Sequence, residues 1–248
     1  MVKKTESTYW EIEGQKVPVQ IHREARRDAR LSFGKKTIIV RFPLRIAAAE
    51  EQKVKLHFRD KLLEWLQKKP QSFDKYAHKN YQSGDWLRVG NKSYLLEIMI
   101  VADKKGHTGK INKSGVITLE MNGGVSEEAR QKAMPTILSR LVSWDFKPEI
   151  TRRVNELNHL YFRKGVKSVS FKYNHSNWGS CSASGNLNFS SRLLFAPDDV
   201  VDYVIIHELA HLVELNHSDR FWKLVSDAMP DYGVKEGWLK EHGHLCRF

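Results

Sequence analysis

Cysteine is scarce, with two residues in 248. Cys181 and Cys246 permit one disulfide at most, which excludes a disulfide scaffold, and they cannot build a four-thiolate zinc site. Long apolar runs are missing as well: no stretch approaches the roughly 18 residues of a membrane helix. The N-terminus, Met-Val-Lys-Lys-Thr-Glu-Ser-Thr, lacks the apolar core of a secretory signal. These absences make a cytoplasmic, reducing compartment the expectation, with no membrane partner. Low-complexity tracts and internal sequence repeats are absent too. Acidic residues are in deficit, 29 against 41 Lys and Arg, for a formal charge of +12.

The remaining composition, 41% hydrophobic and 28% charged, fits a globular chain long enough for one large or two small domains. The basic surplus is uneven. Residues 1–69 hold 17 Lys and Arg against 9 acids, whereas residues 149–248 hold 12 of each. Such a surplus attracts nucleic acid or an acidic partner, or simply keeps a surface solvated. Arg23, Arg26, Arg27 and Arg30, with Lys35 and Lys36, form the densest basic cluster and are the candidate DNA contacts.

Val17, Val19 and Ile21 alternate with polar residues, and residues 37–42 are rich in β-branched side chains, so residues 17–42 read as strands around a turn at Gly34-Lys35-Lys36. Val54, Phe58, Leu62 and Leu66 recur every four residues, which predicts a helix from Ala47 to Lys69 ending at Pro70. Strands return over residues 84–121, closed by Gly123-Gly124. Ser126 with Glu127 and Glu128 starts a long helical region, in which Pro135 and Pro148 predict breaks and a second helix from about 148 to 162. Val169, Phe171 and Tyr173 alternate as in a half-buried strand, and Ser184-Gly185-Asn186 signals a hairpin between residues 178–182 and 187–189. Pro197-Asp198-Asp199 then announces a helix, with proline in the first turn and two acids at the positive end of the dipole.

That last helix carries the chemistry. His207 and His211 are four residues apart and project from one face, so their ring nitrogens can take two corners of a zinc tetrahedron. Glu208 lies about 100° around the helix from His207 and can reach a water at the metal without ligating. His217 supplies a third ligand if the helix ends and turns back, and Asn216 is the expected turning residue because it enters the left-handed region readily. The spacing His207–His211–His217 equals that of the metzincin motif, but Glu214 stands where that motif has glycine. Three ionisable groups on an otherwise apolar helix are costly without a purpose. A structural zinc site is closed by four protein ligands; only three are evident here, so an enzyme is favoured over a nucleic-acid-associated protein with a structural zinc.

Trp178-Gly179-Ser180-Cys181-Ser182, Asn186-Leu187-Asn188, Arg192-Leu193, Ala196-Pro197, residues 203–211, Asn216-His217-Ser218 and Phe221-Trp222 together resemble the YgjP-like metallopeptidases, which group with SprT-like zincins. Asn177 stands where members often carry a basic residue. The resemblance implies a zinc-dependent peptidase acting on protein or peptide substrates, with His207, His211 and His217 holding one Zn2+ and Glu208 as general base. It also implies kinship with proteases acting on DNA-linked proteins. Trp178, Gly179 and Ser180 are the candidate substrate-binding residues. Tyr173, His175, Asn177, Tyr232 and His242 are candidates for stabilising an oxyanion; Phe221 and Trp222 are expected in the core. The expected fold is α+β: a β-rich basic region with one helix over residues 1–125, then a zincin-like helical metallopeptidase domain with a small antiparallel sheet over residues 126–248.

Overall fold

The computed structural model describes residues 2–12, 15–34, 37–68 and 79–248. The chain forms two compact units, Met1–Lys79 and Asn80–Phe248. In the first, strands β1 (Val2–Ile12), β2 (Gln15–Glu24), β3 (Arg30–Phe33) and β4 (Ile38–Pro43) form one sheet in the order β1-β2-β4-β3. The alternation read from sequence is present: Val17, Val19 and Ile21 of β2 and Ile38, Val40 and Phe42 of β4 are buried. Helix α1 (Ala48–Lys68) buries Phe58, Leu62 and Leu66 in the same cluster, one helical face supplied by its four-residue repeat. Strand β1 was not legible in the sequence. Along it only Trp10 and Ile12 are buried among residues 5–12, so it carries little alternation. Lys35, Lys36, Lys69 and Pro70 lie outside the described residues.

The second unit opens with β5 (Trp86–Val89), β6 (Lys92–Val101), β7 (Thr108–Ile111) and β8 (Val116–Asn122), in the order β5-β6-β8-β7. Each unit thus has an outer antiparallel pair on either side of a central parallel pair, β2 with β4 and β6 with β8, followed by a helix. The topology recurs although no sequence repeat is visible. The boundary expected near residue 125 falls instead after Lys79. The reason is shared burial: Leu87, Leu96, Ile117 and Leu119 belong to one apolar core with Val142, Val154, Ile205 and Leu209 from the helices that follow.

Helix α2 (Glu127–Leu157) starts at the Ser126 cap, whose side chain accepts from the Ala129 N–H, and runs unbroken through Pro135 and Pro148. The expected breaks do not occur. An interior proline costs about 3 kcal/mol. Eight buried apolar side chains, among them Ile137, Leu138, Val142, Phe146 and Val154, each contribute roughly 1.5–3 kcal/mol, so tertiary packing overrides the local preference. The helix passes into a π-helical turn, Asn158–Phe162, and stops at Arg163, whose φ of 54° is left-handed.

Strands β9 (Ser168–Lys172), β10 (Gly179–Cys181) and β11 (Asn186–Ser190) form a sheet in the order β10-β11-β9. The hairpin read at residues 184–186 joins β10 to β11. The sheet is mixed rather than antiparallel, because β11 pairs with β9 in parallel. Helices α3 (Asp198–Ala210), α4 (Asp219–Ala228) and α5 (Tyr232–His242) complete the unit. Among the described residues no helix is long and apolar enough to cross a membrane.

Candidate metal centre

Helix α3 is anchored along its N-terminal half. Pro197 and two acids form its first turn, and Asp199 pairs with Lys235 of α5 at 2.6 Å. Arg153 of α2 grips Asp202 through both carboxylate oxygens. Val200, Val204, Ile205 and Leu209 are buried, so the helix sits deep and its last turn is fixed. That turn carries His207 and Glu208, and His211 ends it.

The chain then turns earlier than expected. The amides of Leu212, Val213 and Glu214 bond back to Leu209 and Ala210. Asn216 is not left-handed, since Arg163 is the single non-glycine with positive φ among the described residues. The reversal through 211–216 returns His217 to the helix end, just before Ser218 caps α4.

His207, His211 and His217 each offer a ligand atom, and these atoms lie within 4.8 Å of one another. The Nε2 atoms of His207 and His217 are 3.1 Å apart. Two nitrogens on one tetrahedral zinc lie about 3.3 Å apart, so the spacing suits a shared ion. The Nδ1 of His211 faces the Glu214 carbonyl oxygen at 3.1 Å, which holds its proton there and leaves Nε2 free to ligate. Burial, with neighbouring His211 and His217, pushes the pKa of His207 down to about 4, and burial lowers that of His211. Both imidazoles are therefore neutral near pH 7, as metal ligands must be.

Glu208 is 4% exposed, and burial pushes its pKa up to about 8. No ion pair holds it among the described residues. Its carboxyl lies against Gly179 of β10: a Cβ there would stand 2.4 Å from Glu208 Oε1. Only glycine leaves room for the acid.

Residues 10–242 match the family model for the YgjP-like metallopeptidase domain. The chain belongs to the YgjP-like metallopeptidase family. By family it is a metallopeptidase, whose substrates are proteins or peptides and whose chemistry calls for a divalent metal. No curated protein matches it. Solved structures that are partly similar include two metallopeptidase zymogens. One is abylysin of Pyrococcus abyssi, a metallopeptidase zymogen, 22% identical, covering 40% of this chain and 96% of its own, with a TM-score of 0.35. The other is jannalysin of Methanocaldococcus jannaschii, also a metallopeptidase zymogen, 18% identical, covering 35% and 92%, with a TM-score of 0.30.

The other residues of interest in this YgjP-like chain fall into distinct places. Phe221 is buried, and its ring centroid lies 4.9, 4.5 and 4.7 Å from those of His207, His211 and His217. It is a dry wall to the metal centre, a role the sequence assigned only as core. Trp222 extends that wall and stacks on Tyr232. Of the five oxyanion candidates only Tyr232 joins it. Tyr173 packs on Phe248, His242 stacks on Trp238, and His175 gives its carbonyl to Arg192. Asn177 donates to the Gly179 carbonyl at 2.8 Å.

Trp178 lies under the Arg192 guanidinium, which also donates to the carbonyls of Gly243 and Cys246. The tail is therefore anchored. Ser180 is exposed. Neither cysteine is in a disulfide. Burial, then the nearby Glu208, pushes the Cys181 thiol up to about 11, and Cys181 is outside the grouped ligand atoms of His207, His211 and His217. In the first unit, Arg23 pairs with Glu51, and Arg26 with Glu24 and Asp28, which neutralises half of the arginine cluster. Arg27 and Arg30 are exposed.

Proposed function

We propose that the chain hydrolyses peptide bonds with one zinc ion held by His207, His211 and His217. A zinc bound there supplies Lewis acidity, which acidifies a water near neutral pH and polarises a carbonyl. Glu208 would take a proton from the attacking water and return it to the leaving amine. The observation that carries this reading is the buried Glu208 carboxyl against the backbone of β10, one residue along the helix from His207 of the histidine cluster. A buried acid with no cationic partner is expensive, and such groups concentrate at catalytic sites.

Strand β10 is an edge strand. Trp178 and Ser182 bond across the hairpin to Ser190 and Asn186, and the antiparallel alternation then turns the peptide groups of Gly179 and Cys181 outward. The outward Gly179 carbonyl is taken by Asn177. The Gly179 N–H and both polar groups of Cys181 are left to pair with an extended substrate. The alternative, a structural zinc in a nucleic-acid-associated protein, needs a fourth protein ligand. Three are grouped among the described residues.

The test is zinc content measured alongside cleavage of an unstructured polypeptide. The expected result is about one zinc per chain with cleavage. A chain that holds zinc and leaves the polypeptide intact contradicts the proposal.

A further inference from the structure

A pocket of about 430 Å³ opens beside His211, within the roughly 300–1,000 Å³ range of ligand pockets. It has three walls. Lys164 and Gly165 form the first, Ser182 to Gly185 at the tip of the β10–β11 hairpin the second, and His211 to Val213 with Leu215 the third. A metal-ligand candidate and the hairpin that carries the edge strand thus meet in one cavity.

The walls are fixed. The Asn158 side chain donates to the Lys164 carbonyl at 2.7 Å and accepts from the Lys164 N–H at 3.0 Å. This clamp follows the π-helical turn and Arg163, whose left-handed φ L-residues seldom adopt, and it fixes the Lys164 backbone directly after that reversal. Gly185, at φ 82°, lies against the first wall: a Cβ there would stand 2.8 Å from the Gly165 carbonyl oxygen. The Lys167 N–H donates to the Gly185 carbonyl at 2.8 Å and closes the seam.

Its chemistry is one-sided. Lys164 is exposed and forms no ion pair among the described residues. No carboxylate lines the pocket. Ser182 Oγ accepts from the Asn186 N–H, and both serine hydroxyls accept from Asn186 Nδ2. They lie 3.0 Å from each other, where a single hydrogen spans the pair, so one O–H remains to donate. Leu212 and Val213 supply an aliphatic flank. A cation, a spare hydroxyl donor and an apolar flank together fit a short methylene stem ending in a carboxylate.

We infer that this pocket receives the substrate side chain next to the cleaved bond and selects glutamate or aspartate there, with Lys164 as the specificity-determining residue. The inference rests on the peptidase reading of the adjoining metal centre.

Its test combines two readouts on the zinc-loaded full chain. In the first, a mixed peptide library is cleaved and the products sequenced by mass spectrometry, using the unaltered protein, Lys164→Glu and Lys147→Glu. Lys147 is an exposed residue of α2 outside the pocket, so its variant matches the charge change. The unaltered protein and Lys147→Glu are expected to show acidic residues enriched about tenfold at one position flanking the cut, and Lys164→Glu to lose that enrichment in favour of basic residues. In the second, Glu208→Gln protein binds a fluorescent glutamate peptide and its glutamine counterpart, with and without Lys164→Glu. About tenfold tighter binding of the glutamate peptide, abolished by Lys164→Glu, is expected whether or not cleavage occurs. Discrimination without cleavage sinks the peptidase reading and keeps the pocket. Cleavage with the same residue preference in all three proteins overturns the pocket.

Discussion

Replacing Glu208 with glutamine is expected to lower peptide hydrolysis by a factor of about 10²–10⁴ and to leave about one zinc per chain. The two halves of this result have separate causes. Glu208 follows His207 by one residue and so points about 100° away around the helix. It is absent from the ligand group formed by His207, His211 and His217, so zinc content does not depend on it. Glutamine keeps the shape of the side chain and removes its capacity to take a proton. The fold should tolerate the exchange, because burial already raises the acid's pKa to about 8 and favours the neutral form in the metal-free protein. Metal analysis and initial rates on the same preparation check both halves. An unchanged rate would remove Glu208 from the mechanism.

Gly179→Ala should lower turnover about a hundredfold with zinc content unchanged. The added Cβ would lie 2.4 Å from Glu208 Oε1 and 2.7 Å from its Cγ, so the acid must move. Gly179 is outside the left-handed region, and alanine brings no backbone strain there. Glu208 is 4% exposed and has no open space to retreat into. A displacement of about an ångström at a reacting group can cost about 10² in rate. Gly233→Ala in α5 is the control, since a Cβ there meets nothing within 4 Å. Equal rates for Gly179→Ala and the unaltered protein would show that the carboxyl is not placed by β10.

Local chemistry was the legible part of this chain. The four-residue spacing of His207 and His211, the alternation in β2 and β4, and the Ser184-Gly185 turn each depend on neighbours a few residues apart. Pro135 and Pro148 misled because their cost is local while the burial that outweighs it comes from distant partners. Asn216 was given the helix end on propensity, yet Leu212, Val213 and Glu214 had already closed the turn onto Leu209 and Ala210. The boundary near residue 125 failed because strand and helix patterns do not say which sheet shares a core with which helix. Alternation likewise cannot distinguish parallel from antiparallel partners, so the mixed pairing of β9 with β11 was hidden. The approach of Glu208 to Gly179 spans 29 positions of sequence and leaves no local signal.

Zinc X-ray absorption on the loaded protein tests most directly whether this is an open, three-histidine centre. The expected result is three imidazole nitrogens and one further light atom, all at about 2.0–2.1 Å, with one imidazole lost in His217→Ala. A sulfur scatterer near about 2.3 Å, or a fourth protein ligand that closes the site, would contradict it.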